Sequence, residues 1–508
     1  MRTTLFIMLV GLLLQPMAAQ NTVSTHAGPE SKLVLESSDT RLVQSFDWAK
    51  KQALAFAFEG DPVGDWYEAA LPGRRAFCMR DTSHQAMGAH ALGLARYNHN
   101  MLRRFAENIS EARDWCSLWE IDGNNRPAHA DYRNDSDFWY NLPANFDVVA
   151  ACYRMYLWSG DMTYINDPVF LNFYDRTMTD YIDRWDLNLD KVMKRQRIMN
   201  QKTNDADSKF GPARGIPGYN EENGDFVVGI DLLATQYRAY LAYARIQEVR
   251  GNMDVARLYL KRAADLKAFV NREWWDEKNQ SFYDRLGTDY RLIGRKDTFW
   301  NIAELYWTVA EDGPKAKAAV NAIVEQIKRN PSIAVETQSH HAEILYRYGV
   351  PDVAYLQMMD LARQDRSRRE YPEVSYSVIG AIVTGLMGVS VDPVVTGKES
   401  DLLEYFGDQF VMTVPQLTNQ TAWAELRNLP IRANEVSVRH EGLRKTIFTN
   451  QSGPTLIWRA ALPGSFEALL VNGKRVKATR QKLPLGRQIS WVRVVVAPGN
   501  VASVEAPK

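Results

Sequence analysis

Six acidic residues stand out because they lie in polar stretches, most of them with aromatic neighbours, ahead of apolar helix-forming segments. They are Asp81, Asp137, Glu221, Glu222, Glu336 and Glu373. The same stretches contain Trp139, Tyr219, Trp300, His84 and His340. Flat aromatic faces suit the C–H faces of a sugar ring, and carboxylates accept hydrogen bonds from sugar hydroxyls. Carbohydrate is therefore the predicted ligand class.

Two of these carboxyl groups are candidates for the acid and base of glycosidic-bond cleavage. Cleavage of a glycosidic bond needs one carboxylic acid that protonates the leaving oxygen and one carboxylate that activates water or attacks carbon. In the adjacent pair Glu221 and Glu222, crowding and partial burial can keep one member protonated. We expect the second carboxylate from across the fold, with Glu373 best placed and Glu370 and Glu336 behind it.

Composition excludes several other classes of protein. The chain of 508 residues carries 61 Lys and Arg against 61 Asp and Glu, so it lacks the cationic excess of a nucleic-acid binder. Three cysteines fit neither a disulfide framework nor a zinc site, and we expect buried thiols. The sequence has no glycine-rich phosphate loop and no His/Cys cluster, so no cofactor and no metal is predicted.

The elements that position these residues are predicted to be twelve helices between about residues 39 and 389, because apolar residues recur there at three- and four-residue intervals. The even-numbered helices are apolar and rich in small residues, whereas the odd-numbered ones are amphipathic. Inner and outer rings of an (α/α)6 barrel need these two types. The predicted helices are 39–57, 83–95, 98–113, 145–159, 168–185, 231–250, 253–273, 301–311, 314–329, 339–348, 352–364 and 375–388.

A barrel of this kind would bring the candidate residues to one end. The connections that lead into the inner helices are long and rich in carboxylates and aromatics, whereas the opposite connections are short. In a closed ring of helical hairpins, all connections into inner helices emerge at the same face. We expect the functional site there.

The two ends of the chain differ from the barrel. Residues 1–19 have a charge at Arg2, an apolar run and small residues at the end, which predicts a signal peptide and an exported, periplasmic or extracellular protein. No later segment predicts a membrane span. After an N-terminal segment at 20–38 and a catalytic barrel at 39–395, alternating residues around Asn472-Gly473 predict a β-hairpin. We expect a small β-sandwich at 396–508.

In helix order and motifs the chain resembles the six-hairpin glycosidases, which include glucoamylases and α-L-rhamnosidases. The resemblance covers about 350 residues and rests on Arg80-Asp81 before the second helix, Glu221-Glu222 before the sixth and Glu373 before the twelfth. It implies that Arg80 and Asp81 bind the sugar, that Glu221 is the general acid and that Glu373 is the general base of an inverting reaction. The β-domain follows the barrel, as in many α-L-rhamnosidases, and the family stays unassigned.

The expected function is thus an exported glycoside hydrolase that removes terminal sugars from oligo- or polysaccharides. Glu221 and Glu373 would carry the catalysis, and the other polar and aromatic residues would bind substrate. Two alternatives stay open. One is a polysaccharide lyase or unsaturated-uronide hydrolase on the same barrel, acting through Arg80, His84, Tyr219 and His340. The other is a sugar-binding protein without catalysis.

Overall fold

The helices of the computed structural model follow the predicted order. The structure describes residues 28–196, 209–210, 213–220, 226–294, 302–331, 333–391 and 410–507. The helices are α1 Thr40–Ala55, α2 Met79–Ala91, α3 Ala95–Glu107, α4 Pro143–Ser159, α5 Thr163–Asn166, α6 Pro168–Arg176, α7 Ile182–Arg184, α8 Ile230–Val249, α9 Met253–Glu273, α10 Ala303–Tyr306, α11 Pro314–Arg329, α12 Val335–Arg347, α13 Pro351–Leu361 and α14 Pro372–Gly380. A π-helical segment, Thr177–Tyr181, joins α6 to α7, and another, Ala381–Leu386, extends α14.

Several helix boundaries differ from the prediction by three residues or more, and two of these differences have local reasons. The second predicted helix starts earlier, at Met79, because the short strand Ala76–Cys78 leads directly into it. Arg80 and Asp81 therefore lie in its first turn. The eighth predicted helix is a single turn, Ala303–Tyr306, and the left-handed backbone of Thr308 (φ 63°) follows it.

Six helices form a ring in which each contacts the next. The cyclic order is α2, α4, α8, α10, α12, α14 and back to α2. Around this ring, α1 packs on α14, α3 on α2, α9 on α8 and α13 on α12. Almost every residue of α8 is buried, whereas α9 buries only one face. The alternation of buried and amphipathic helices therefore corresponds to an inner and an outer layer of a helical barrel.

The strands form small sheets in the barrel connections and two larger sheets at its far end. They are β1 Val34–Ser37, β2 Ala57–Asp61, β3 Gly64–Tyr67, β4 Ala76–Cys78, β5 Glu120–Asp122, β6 Tyr132–Asn134, β7 Asp137–Phe138, β8 Phe226–Gly229, β9 Trp275–Asp276, β10 Ser281–Gly287, β11 Leu292–Gly294, β12 Val389–Ser390, β13 Phe410–Thr413, β14 Trp423–Ile431, β15 Asn434–Glu441, β16 Lys445–Ser452, β17 Leu456–Pro463, β18 Ala468–Val471, β19 Lys474–Lys477, β20 Thr479–Lys482, β21 Gln488–Val496 and β22 Val501–Glu505.

The C-terminal β-domain draws on three parts of the chain. Its seven-stranded sheet has the order β1-β14-β15-β16-β22-β18-β19, and its five-stranded sheet the order β12-β13-β17-β21-β20. Strand β1 comes from the predicted N-terminal segment and pairs antiparallel with β14, while β12 follows the last barrel helix. The predicted hairpin is confirmed: β18 pairs with β19, and Asn472 and Gly473 between them have φ values of 48° and 77°.

Two further expectations can be compared with the structure. Cys78, Cys116 and Cys152 are buried free thiols, as predicted. Among the described residues, no helix is both long and apolar enough to cross a bilayer. The predicted signal peptide at 1–19 and the predicted boundary at residue 395 lie outside the described residues.

The contact between α2 and α14 explains why an inner helix contains glycine. A Cβ atom on Gly88 would lie 2.1 Å from the carbonyl oxygen of Tyr376, so the two helix backbones touch at this point. On Gly380, across the same contact, the nearest atom to a Cβ would be the amide nitrogen of Gly88 at 3.7 Å. Gly88 is therefore needed for close packing, whereas Gly380 is not.

We predict that Gly88→Ala destabilises the protein by about 2 kcal/mol or more, because the two helices must move apart. Gly380→Ala is the matched control and should be neutral or stabilising by up to about 1 kcal/mol, since alanine is the better helix former. Thermal and urea unfolding of both variants measure the difference. Equal stability of the two would contradict close backbone packing at Gly88.

Candidate functional site

Charged side chains from the first turns of three inner helices meet at one end of the barrel. Arg80 Nε donates to Asp81 Oδ1 at 2.9 Å in the first turn of α2. Glu336 lies in the first turn of α12 and pairs with Arg368. Glu373 lies in the first turn of α14 and is electrostatically coupled to these four residues. We call the five residues the mouth cluster.

Glu373 is the member of the mouth cluster with the most perturbed acidity. Its side chain keeps partial contact with solvent, yet protein surrounds it. Burial raises the pKa of Glu373 well above its usual range, and the carboxylates of Asp81 and Glu336 raise it further against the opposing effect of Arg80 and Arg368. Glu373 therefore combines access for a ligand with a tendency to hold a proton.

Glu336 offers an acceptor to the same space. Its Oε1 atom accepts from the Arg368 guanidinium. Its Oε2 atom is buried and has no hydrogen-bond partner within the described ranges. A buried acceptor without a donor is costly, so a ligand hydroxyl at this oxygen would stabilise it.

One helical turn below the mouth cluster, the carboxylate of Asp147 on α4 collects donors from other elements. The indole nitrogen of Trp307 donates to its Oδ1 at 2.7 Å. The Tyr219 hydroxyl donates to its Oδ2, and His84 Nε2 lies 3.3 Å from the same oxygen. Asp147 is 3% exposed, so this charge is stabilised by protein donors and not by bulk water.

The two predicted histidines meet beside Asp147. His84 Nδ1 and His340 Nε2 are 2.9 Å apart, and His340 Nδ1 lies 3.1 Å from the carbonyl oxygen of Glu336. Burial lowers the pKa of His340 well below its usual range, and the neighbouring His84 and Arg80 add to the effect. His340 is therefore neutral, and a single proton lies between the two rings.

Tyr219 is fixed from both of its ends. The backbone N–H of Tyr219 donates to Asp231 at the start of α8, and the Arg80 guanidinium lies 5.6 Å from the centre of the Tyr219 ring. Burial raises the pKa of Asp231 to about 7. The backbone of residues 218 and 229 also packs tightly against this carboxyl group. Asp231 thus holds the loop that delivers Tyr219 to Asp147.

A second acidic pair lies behind Asp81. Glu120 and Asp131 share Arg74, whose Nη2 is 3.2 Å from Glu120 Oε2 and 2.9 Å from Asp131 Oδ2. Burial, and then the neighbouring Asp131 carboxyl group, raise the pKa of Glu120 to about 9. Strand β5 places Glu120 opposite Cys78, next to the first turn of α2. Glu120 is therefore an uncharged side chain next to the mouth cluster at neutral pH.

Known sequences do not place the chain in a family. No family model matches it, and no curated protein matches its sequence with significance.

Solved structures do match the fold. An α-L-rhamnosidase from Dictyoglumus thermophilum has a TM-score of 0.57 at 13% identity, covering 94% of this chain and 51% of that one. A GH78 family rhamnosidase of Bacillus sp. GL1 has a TM-score of 0.54 at 13% identity, covering 83% and 41%. A kojibiose phosphorylase from the human microbiome has a TM-score of 0.55 at 10% identity, covering 92% and 60%. This chain spans between two fifths and three fifths of the length of these proteins.

The chain has a glycoside-hydrolase-like fold. At identities of 10 to 13%, the likeness concerns the fold and assigns no activity to individual residues. The chemistry of this glycoside-hydrolase-like chain must therefore be argued from its own side chains.

Most of the described residues predicted for the site lie together at the mouth or one turn below it. These are Arg80, Asp81, His84, Tyr219, Glu336, His340 and Glu373. The other predicted residues Glu221, Glu222 and Trp300 fall outside the described residues.

Asp137 and Trp139 lie in a neighbouring connection of this glycoside-hydrolase-like fold. Asp137 is buried and accepts the backbone N–H groups of Lys209 at 3.0 Å and Phe210 at 2.7 Å. The Trp139 indole donates to Asn141 Oδ1 at 2.9 Å. Both side chains thus hold loops in place, and their predicted contact with substrate stays a prediction.

Sequence reasoning missed Asp147, Trp307 and Glu120. Asp147 had a detectable signal, because it is the only charge in the largely apolar stretch Pro143–Cys152 of an inner helix. An acidic residue in a fully buried helix needs buried partners. Trp307 and Glu120 carry no comparable local signal, since their roles depend on residues far away in sequence.

We predict that Asp147→Asn lowers the free energy of unfolding by about 3 kcal/mol. An amide offers one acceptor oxygen where the carboxylate offers two, and its NH2 group faces donors. Asp254→Asn is the control, because the Asp254 side chain is 97% exposed, and it should change stability by less than about 0.5 kcal/mol. Urea unfolding followed by tryptophan fluorescence checks both. A neutral Asp147→Asn would contradict the role of this carboxylate.

Proposed function

We propose that the protein is an exported glycoside hydrolase with an (α/α)6 barrel that removes terminal sugars from oligo- or polysaccharides. The observation that carries the proposal is the mouth cluster. It contains a ligand-accessible carboxyl group with a raised pKa, Glu373, beside a carboxylate with an unpartnered oxygen, Glu336. Glycoside cleavage requires a carboxyl group that can hold a proton near neutral pH.

The charges of the mouth cluster favour a neutral sugar as substrate. Two guanidinium groups, Arg80 and Arg368, face the carboxylates of Asp81 and Glu336. With Glu373 protonated, these charges balance, and a polyanion would gain little from the cluster. Uncharged hydroxyls can donate to Glu336 and Asp81, which fits a neutral monosaccharide unit.

The mechanism pairs Glu373 with Glu221, whose position in the sequence before α8 suits a second carboxyl group. In the assignment implied by the resemblance, Glu221 donates the proton and Glu373 activates water. The raised pKa of Glu373 supports the exchanged assignment, in which Glu373 holds the proton in the free enzyme. In both assignments an inverting reaction needs the two carboxyl groups roughly 6.5–9.5 Å apart, with a water between them.

A screen of aryl α- and β-glycosides and natural oligosaccharides, with proton NMR of the first-formed anomer, tests the activity. We expect turnover of one neutral glycoside with inversion. A retained anomer would refute inversion. Release of a product with a new conjugated double bond would instead identify a lyase. Binding without turnover would identify a sugar-binding protein.

We predict that Glu373→Gln lowers kcat/KM by about 10²–10⁴-fold on substrates with a sugar leaving group. If Glu373 is the acid, the variant should keep most activity on aryl glycosides whose leaving group needs no protonation. If Glu373 is the base, the variant should lose activity equally on aryl glycosides and on substrates with a sugar leaving group.

The pH profile gives an independent assignment of Glu373. As the acid, Glu373 must be protonated, so kcat/KM of the wild type falls as pH rises through its raised pKa. As the base, it must be ionised, so kcat/KM falls as pH drops through that pKa. Glu370→Gln is the matched control, because Glu370 lies on the same connection with an exposed side chain. Equal losses in the two variants would exclude a special role for Glu373.

A further inference from the structure

A partly open cavity lies at the opposite end of the barrel axis, where the inner helices meet the β-domain. Its volume is 120 Å³, and its wall combines residues of α4, α8 and α12 with residues of β13 and the turn before β21. A neighbouring cavity of 70 Å³ shares Arg154, Arg238, Glu343 and Arg347 with it and reaches up to His84 and Asp147. We call the larger one the floor cavity.

The floor cavity is strongly cationic. In the described part of its wall, four residues are arginines, namely Arg154, Arg238, Arg347 and Arg487, and Glu343 is the one carboxylate. Glu343 Oε1 is 2.7 Å from Arg347 Nη2 and 3.8 Å from Arg154 Nη1. A single carboxylate is thus shared between two guanidinium groups.

Arg487 is the arginine that the β-domain contributes. Its Nη2 donates to the carbonyl oxygen of Arg347 at the last turn of α12, and its Nη1 donates to Gln416 Oε1 at 3.1 Å. Its Nε atom is buried and has no hydrogen-bond partner in the structure as described. Burial lowers the pKa of Arg487 to about 10, with no countering carboxylate among the described groups. A buried donor on an uncompensated cation indicates a missing acceptor of negative charge.

We propose that the floor cavity binds a small tetrahedral oxyanion, of the chemistry of phosphate or sulfate, held by Arg487 of the β-domain, with Arg347 and Arg154 of the barrel adding positive charge to the wall. Planar guanidinium groups match the oxygen geometry of such anions. A cavity needs about 10–15 Å³ of volume, measured in the same way, to hold one water molecule. The 120 Å³ of the floor cavity therefore accommodate four oxygens.

This oxyanion is not a reactant of the proposed hydrolysis. Glu336 of the mouth cluster and Glu343 of the floor cavity are seven residues apart on α12, which corresponds to about 10 Å along the helix axis. An anion at the floor is therefore separated from Glu373 by the layer of His84, His340 and Asp147. Its expected effect is on stability, because it bridges barrel and β-domain.

Thermal unfolding of the full chain in sodium phosphate or sodium sulfate, at ionic strength matched with sodium chloride, tests this site. We expect the Tm to rise by several degrees and to saturate with phosphate or sulfate, and isothermal titration calorimetry should give one site per chain. The anion with the lower Kd, phosphate or sulfate, is the preferred ligand. Non-specific stabilisation by these salts grows without saturation. A wild-type response of that kind, or none, would overturn the proposal.

Three variants distinguish anion binding in the floor cavity from non-specific stabilisation by salt. Arg487→Met should abolish the saturable rise, whereas Arg475→Met, which removes an exposed arginine of β19, should keep it. Glu343→Gln should bind the anion several-fold more tightly, because it removes the competing carboxylate. If Arg487→Met does not fold, the affinity of Glu343→Gln for the anion tests the site instead. A saturable response that persists in Arg487→Met, or weaker binding by Glu343→Gln, would refute the oxyanion site.

Discussion

The buried carboxylate of Asp147 is the interaction on which the geometry of the site depends. A carboxyl group with 3% exposure needs protein donors in place of its water shell. Trp307 after α10 and Tyr219 before α8 supply those donors, and the His84 ring on α2 approaches the same carboxylate. Because the four elements must converge on one carboxylate, the inner helices are fixed relative to each other at the depth where a ligand would rest.

The layer built on Asp147 also determines the charges around it. His84 stands between Asp147 and His340, with its Nε2 atom 3.3 Å from Asp147 Oδ2 and its Nδ1 atom 2.9 Å from His340 Nε2. The carbonyl oxygen of Glu336 can only accept, so neutral His340 carries its proton on Nδ1 and accepts from His84 through Nε2. Burial and the adjacent His84 and Arg80 disfavour a second proton on His340. The bottom of the site is therefore a layer in which two imidazole rings and one carboxylate are in contact, beneath a mouth cluster whose own charges nearly cancel.

Much of this fold could be predicted from local sequence, and the site only in part. Buried and amphipathic helices differ in composition over a dozen residues, so the two layers and most helix boundaries follow from periodicity. Arg80, Glu336 and Glu373 were found because polar residues at the start of apolar helices are recognisable. By contrast, the pairing of β1 with β14, almost 400 residues away, leaves no local pattern. Trp307 escaped notice for the same reason, since only the closed ring brings its indole to Asp147.

The two ends of the barrel differ in charge, since the charges of the mouth cluster nearly cancel and arginines dominate the floor cavity. The first turns of α2, α12 and α14 meet in the mouth cluster, so these helices present their positive ends to the carboxylates there, whereas the arginines of the floor cavity include Arg347 in the last turn of α12. Helix ends stabilise such charges by about 0.3–1 kcal/mol each. At Glu373 this effect would lower the pKa, yet the pKa is raised, so desolvation outweighs the helix and both arginines. Better access of water to the mouth cluster would weaken this desolvation and lower the pKa of Glu373.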